Sequence, residues 1–332
     1  MNLKPIIQKS PTRVDLAGGT LDLWPLYNFI DGAITVNVAI DIFTTATLTP
    51  LEGKRIELIS DDLKFEKSFN SLEACLADGD QKLALLKSQL EFWKPKNGFR
   101  LQTKSDSPVG GGLGGSSSLT ISLLKVFNQF CDGKLTDTHE LVKVAHNIEA
   151  KVLNTPTGTQ DYYPAASGGI NVLSYSETGI DQKVLARATQ ELTDHFMLVY
   201  TGKAHHSGLN NFEVLSRAVK KDPQVLNALR ELKVIAQATA NAVQASDWNS
   251  LPELFKQEFK WRVQLAEAFS SPEIDQLAEV SLQAGADAVK ICGAGGGGCV
   301  LVWVKPAKRQ GVKAACENAG FQVLPAKPVA PL

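Results

Sequence analysis

With 332 residues, 44% of them hydrophobic and 21% charged, the chain is long enough for two fused domains or one large α/β domain around a substantial core. The 34 basic and 35 acidic residues leave a net charge of −1, and no basic run accompanies an aromatic stripe, so nothing supports nucleic-acid binding. Residues 1–13 hold no apolar stretch of signal-peptide length and no apolar run approaches 18 residues, which excludes a membrane span, while Cys75, Cys131, Cys292, Cys299 and Cys316 are scattered without CxxC spacing, which disfavours a Cys/His metal cage and predicts free thiols in the cytoplasm.

In chain order, a short β-rich run at residues 13–16 precedes a strictly alternating stretch at residues 33–42. Ile34, Val36, Val38, Ile40 and Ile42 fall on one side and Thr35, Asn37 and Asp41 on the other, the pattern of a half-buried antiparallel strand. Further strands are predicted at residues 55–59 and 99–103. Residues 107–118 (SPVGGGLGGSSS) then run into an apolar helix through Leu119, Leu123, Leu124, Val126 and Phe127 to Cys131. Leu141, Val144, Ala145, Ile148 and Val152 mark one face of a helix over residues 136–153. Strands follow at 170–175 and 196–201. Residues 207–284 read as consecutive helices broken near Pro223, Asp247 and Pro272. Strands at 288–292 and 299–304, a helix at 306–319 and a strand at 321–324 complete the chain. Strands and helices do not alternate regularly, so an α+β architecture of two lobes is predicted, residues 1–195 and 196–332.

The glycine-serine loop is the most informative stretch. Without Cβ atoms the backbone curls and turns several N–H groups toward an anion, and the helix start adds its own unpaired N–H groups and positive dipole end. The serines suit a helix cap or a hydroxyl beside a phosphate-bound magnesium ion. Gly110, Gly112 and Gly115 satisfy GxGxxG, but Asp132 ends a helix rather than a second parallel strand, so the dinucleotide reading fails. No GxxxxGK[ST] frame exists either. A second glycine run, residues 293–298 with Gly295 and Gly296 at its centre, lies between two strands and reads either as a wide turn or as a close approach of backbone to a ligand or another loop. In a third region Glu149 is followed 12 residues later by Asp161. Such a pair would supply a metal ligand and a proton acceptor for phosphoryl transfer, although on spacing alone they read as a surface helix residue and a turn residue.

Three segments in series, residues 10–22 (SPTRVDLAGGTLD), the glycine-serine loop and residues 290–298 (KICGAGGGG), resemble the GHMP kinase superfamily. With the TGTQDYY segment at 157–163 they are most similar to its heptose-phosphate, fucose and galactose kinases. The resemblance implies an N-terminal lobe of ribosomal protein S5 domain 2 type, a ferredoxin-like C-terminal lobe, and ATP and Mg2+ in the cleft between them. It implies transfer of the γ-phosphate to a hydroxyl of a sugar or sugar phosphate, by a monomer or homodimer; a mevalonate-type kinase and a non-catalytic sugar sensor are the alternatives. Carried over by position, Gly110, Gly111, Gly112, Leu113, Gly114, Gly115, Ser116 and Ser117 hold the phosphates. Glu149 and Ser116, or Ser117 one place on, hold the metal, while Asp161 and Arg13 are catalytic. Asp22, Gly18, Gly19, Gly168, Gly169, Gly295 and Gly296 line the acceptor. His205 and His206 stand where the family's sugar kinases place an Arg motif, and read either as contacts to a neutral sugar or as an exposed pair without a role.

Overall fold

A computed structural model describes residues 4–185, 189–204, 207–266, 269–293 and 295–332. The chain has a two-lobe α+β fold with one sheet in each lobe. The first sheet comprises β1 (Ile6–Ala17), β2 (Ala33–Leu51), β3 (Ile56–Ser60), β4 (Phe65–Phe69), β5 (Gly98–Ser105), β6 (Ile170–Ser176) and β7 (Gly179–Leu185). Its order is β4-β3-β5-β2-β6-β7, with β1 antiparallel along the remaining edge of β2. The second is antiparallel, with β8 (Phe196–Tyr200), β9 (Ala288–Ile291), β10 (Cys299–Trp303) and β11 (Gln322–Leu324) in the order β11-β8-β10-β9.

Helices α1 (Leu72–Ala77), α2 (Ala84–Trp93), α3 (Gly115–Phe130), α4 (Thr138–Leu153) and α5 (Tyr162–Ser167) belong to the first lobe. After them come α6 (Thr189–His195), α7 (Ser207–Val219), α8 (Pro223–Ala245), α9 (Leu251–Arg262), α10 (Pro272–Gln283) and α11 (Arg309–Asn318). The breaks expected near Pro223 and Pro272 are helix starts, each with Pro in the first turn behind a cap. Asp222 accepts from Gln224 N at 2.9 Å and Ser271 from Ile274 N at 3.4 Å. Among the described residues no helix is long and apolar enough to cross a membrane. All five cysteines are free thiols.

The alternation at residues 33–42 predicts a half-buried strand, and here the structure differs. Thr35, Asn37 and Ala39 are as fully buried as Val36, Val38 and Ile40. Both faces of β2 are covered over residues 35–40, whereas Asp41 is exposed. Val36 and Val38 share a core with Ala236 and Ala240 of α8, while Asn37 Nδ2 donates to Gln160 O at 3.2 Å in the turn before α5. That core also takes in Phe196, Leu198, Leu301 and Trp303 of the second sheet and Phe255 of α9, so the lobes share one apolar interior. At roughly 1.5–3 kcal/mol for each large apolar side chain removed from water, this interior resists separation of the lobes.

Candidate active site

The glycine-serine loop joins β5 to α3, and its backbone angles explain its composition. Gly110, Gly112 and Gly114 have φ of 64°, 72° and 69°, the left-handed region that Cβ-bearing residues avoid. Gly114 is itself the N-cap of α3 and no side chain caps the helix, so the serines occupy the first turn rather than capping it. The first N–H groups of a 16-residue helix are thus left to the loop and to whatever it receives. The second lobe buttresses this turn, because Cys299 N of β10 donates to Gly111 O at 2.8 Å.

β1 brings Arg13 against the same loop. Its Nη1 donates to Gly112 O at 2.6 Å, and its Nε and Nη2 both meet Asp161 Oδ1 at 2.7 Å. Burial works to lower the Arg13 guanidinium pKa, but Asp161 and Asp15 more than reverse this, so it stays a cation. Asp161 is the N-cap residue of α5, yet its side chain makes no capping bond. Both Arg13 contacts fall on Oδ1, which leaves Oδ2 available. The loop and this carboxylate are in contact, since a Cβ added at Gly114 would lie 3.1 Å from Asp161 Cγ.

Glu149, in the last turns of α4, is 3% exposed rather than a surface residue. Burial raises its carboxyl above the ordinary range, with the nearby hydroxyls of Ser116, Tyr162 and Ser117 pulling it back. Its Oε2 is buried without a hydrogen-bond partner in the protein. Ser116 is exposed and Ser117 buried, and both line the cleft with Glu149. Ser118 is taken out of the site by its own bonds, to Ser10 O at 2.9 Å and Thr44 Oγ1 at 2.8 Å.

The glycine loop, Arg13, Ser116, Ser117, Glu149 and Asp161 line one cleft of about 670 Å³, which also holds Thr20, Asp22, Gly158, Gln160, Asn211 and Gly293. Asp22 is 4% exposed and accepts from Gln160 N at 3.0 Å. A Cβ at Gly158 would fall 1.8 Å from Asp22 Oδ2, so the turn before α5 closes over that carboxyl. Burial pushes the Asp22 pKa up from 3.8 to about 6, against the Gln160 N–H and with the Asp161 charge.

A carboxyl raised on folding favours the fold in its protonated form. That contribution is complete below the unfolded value of 3.8 and is lost as pH rises through about 6. Asp22→Asn is therefore expected to stabilise the protein near pH 7.5 by on the order of 1–3 kcal/mol, with the gain vanishing near pH 4. Melting curves of both proteins at the two pH values check this, and equal melting temperatures at the higher pH would refute it.

Several expected acceptor contacts lie elsewhere. Gly168 and Gly169 face the chain's last residues instead, where added Cβ atoms would meet Ala330 O at 2.5 Å and Pro331 Cγ at 3.0 Å. Gly169 N donates to Val329 O, and Leu332 N to Ser167 O. Gly18 lies against Ile34 O, and Gly19 against Asp15 and Arg262. Gly295 and Gly296 pack on Phe269, the bond from Gly296 N to Phe269 O being 3.2 Å. Of the two readings of that glycine run, close approach of backbone, here to another loop, fits Gly295 and Gly296, and among the described residues of the run Gly293 lines the cleft. Asn37, on the polar side of β2, is spent on Gln160 O. His205 and His206 lie outside the described residues.

The sequence reading missed a buried cluster of four charges beneath the cleft: Asp15 on β1, Glu258 and Arg262 on α9, and Lys290 on β9. It also passed over Thr20 and Gln160. Glu258 and Arg262 carry only an i,i+4 pairing signal, indistinguishable from that of a solvated helix face.

Residues 81–169 match the family model of the GHMP kinases N terminal domain, and residues 239–322 match that of the GHMP kinases C terminal. D-glycero-alpha-D-manno-heptose 7-phosphate kinase of Campylobacter jejuni is 27% identical, over 96% of this chain and 95% of its own. Mevalonate kinase of Methanocaldococcus jannaschii is 24% identical, over 92% and 94%. The crystal structure of a D-glycero-D-manno-heptose 1-phosphate kinase from Bacteroides thetaiotaomicron superposes with a TM-score of 0.79 at 24% identity, over 98% of this chain and 96% of that one.

Proposed function

The chain belongs to the GHMP kinases, and from that membership we propose that it transfers the γ-phosphate of ATP to a hydroxyl of a sugar or sugar phosphate. One observation carries the reading: the Asp161 carboxylate, gripped by Arg13, lies against the glycine loop that opens α3. The loop's main-chain N–H groups suit the ATP phosphates, and Leu63, Leu85, Val109 and Leu119 of the same cleft suit a purine ring. Asp161 Oδ2 takes or orients the proton of the acceptor hydroxyl, while the Arg13 guanidinium offsets charge on the transferring group.

The residues fit a divalent cation. Glu149 Oε2 is a buried carboxylate oxygen with no partner, and Ser116 and Ser117 share its part of the cleft. Among the described residues no group of three His, Cys, Asp or Glu stands ready to hold a metal, so most ligands would come from phosphates and water. Glu149 with Ser116 or Ser117 would hold Mg2+, which when bound neutralises phosphate charge.

Asp22 discriminates between acceptors. A buried carboxyl in the cleft wall disfavours the carboxylate of a mevalonate-like acceptor and suits the hydroxyls of a sugar. The deciding experiment is an ADP-release screen with MgATP over free sugars, sugar phosphates, mevalonate and homoserine. Turnover with a sugar or sugar phosphate is expected. Turnover with mevalonate alone would replace the acceptor assignment, and nucleotide binding without any turnover would point to a sugar-binding sensor.

A further inference from the structure

Beneath the cleft, four charged side chains are wholly shielded from solvent and bonded to one another. Lys290 Nζ lies 3.0 Å from Asp15 Oδ2 and 3.3 Å from Glu258 Oε1. Arg262 Nη2 lies 3.3 Å from Asp15 Oδ2, and its Nε donates to Glu258 Oε1 at 2.6 Å. Two cations and two anions cancel. Yet Asp15 Oδ1 and Glu258 Oε2 have no partner within the protein. A buried ion cluster with unmet acceptors is a poor source of net stability, because desolvation offsets most of the attraction and apolar replacements often do as well.

Its connections suggest what it does instead. Arg262 Nη2 donates to Gly19 O at 3.2 Å and Nη1 to Thr20 Oγ1 at 3.5 Å, and Thr20 lines the cleft. Asp15 is two residues from Arg13 on β1, hence on the same face, and both cations of the cluster together with Arg13 hold its carboxyl below the usual range against the opposing effect of burial. Lys290 sits three residues before Gly293, another cleft residue. The cluster thus ties the catalytic strand, the turn leading to Asp22 and the second lobe to one point.

Resting on the kinase reading, we infer that Asp15, Glu258, Arg262 and Lys290 form a positioning device that sets the Arg13 strand and the Gly19–Thr20 turn at the working distance from the second lobe. Its contribution is to turnover rather than to folding. Small displacements of reacting groups cost far more in rate than in stability.

Two variants of the full chain test this. Arg262→Lys keeps the charge but loses the planar fork that reaches Gly19 O and Thr20 Oγ1. Glu258→Gln/Lys290→Met removes one charge of each sign. Both are expected to keep the melting temperature within a few degrees and KM for ATP within about twofold, and to lose about 10–100-fold in kcat. Lys290→Arg should retain most of the rate. Amide hydrogen exchange is expected to quicken over residues 18–22 in Arg262→Lys, a readout that needs no turnover. Wild-type kcat, or unchanged exchange at those amides, overturns the inference, as does a fall in kcat that only tracks a fall in melting temperature. If the double variant does not fold, Arg262→Lys decides alone. Wild-type protein inactive on every acceptor would instead sink the kinase reading, and the exchange measurement would still decide whether the cluster positions the turn.

Discussion

Asp161→Asn is expected to lower kcat by about 10²–10⁴-fold while affinity for a non-hydrolysable ATP analogue, read by calorimetry, stays within about twofold. The substitution isolates one property. Asparagine keeps the size of the side chain, so the contact with the loop at Gly114 survives, and its carbonyl oxygen still accepts from Arg13. What disappears is the negative charge and an oxygen able to take a proton. The reaction class needs that oxygen because the acceptor hydroxyl is a weak nucleophile until its proton is oriented or removed. An Asp161→Asn protein with full turnover would take this residue out of the mechanism and leave the rate to positioning alone.

The parts of the site legible in the sequence are those with local causes. Repeated glycine before an apolar run requires a curled backbone and a helix start, and the positive φ at Gly110, Gly112 and Gly114 follows from that. The helical spacing from Leu141 to Val152 predicts α4 and places Glu149 near its end. Which face of α4 carries Glu149 inward was not legible, because a single carboxylate among polar residues looks the same on either side. The glycines at 168, 169, 295 and 296 illustrate the opposite failure. Their composition announces a close approach, but its partner is set by distant chain: the residues from Val329 to Leu332 in one case and Phe269 in the other. The strict alternation of residues 33–42 was misleading for a related reason. Period two reports that one face is apolar, and Thr35 and Asn37 can be buried as well once Tyr175 Oη of β6, 3.3 Å from Thr35 Oγ1, and Gln160 O in the turn before α5 provide hydrogen-bond partners on the polar side. Arg262 and Asp15, 247 positions apart, meet only after both lobes have folded.

Arg13 is the other side chain on which a large loss is expected. Its guanidinium forms a fork that fixes Asp161 through Oδ1 and a bond to Gly112 O that holds the loop, and in the proposed reaction it would also place charge beside the transferring group. Arg13→Met removes all three and leaves the Asp161 charge without its partner, so kcat should fall by about 10³-fold or more. Arg13→Lys restores the charge without the fork and should recover part of that loss, settling about 10²-fold below wild type. The pair separates electrostatic from geometric roles. If charge dominates, the lysine protein is much the faster of the two and both bind the ATP analogue almost normally. If the bond to Gly112 dominates, both lose nucleotide affinity together, because the loop is no longer held in its anion-receiving shape. Combining Arg13→Met with Asp161→Asn should cost little more than the worse single change, since residues that act as a unit are not additive. Additive losses would mean that Arg13 and Asp161 work independently, despite sharing an oxygen at 2.7 Å.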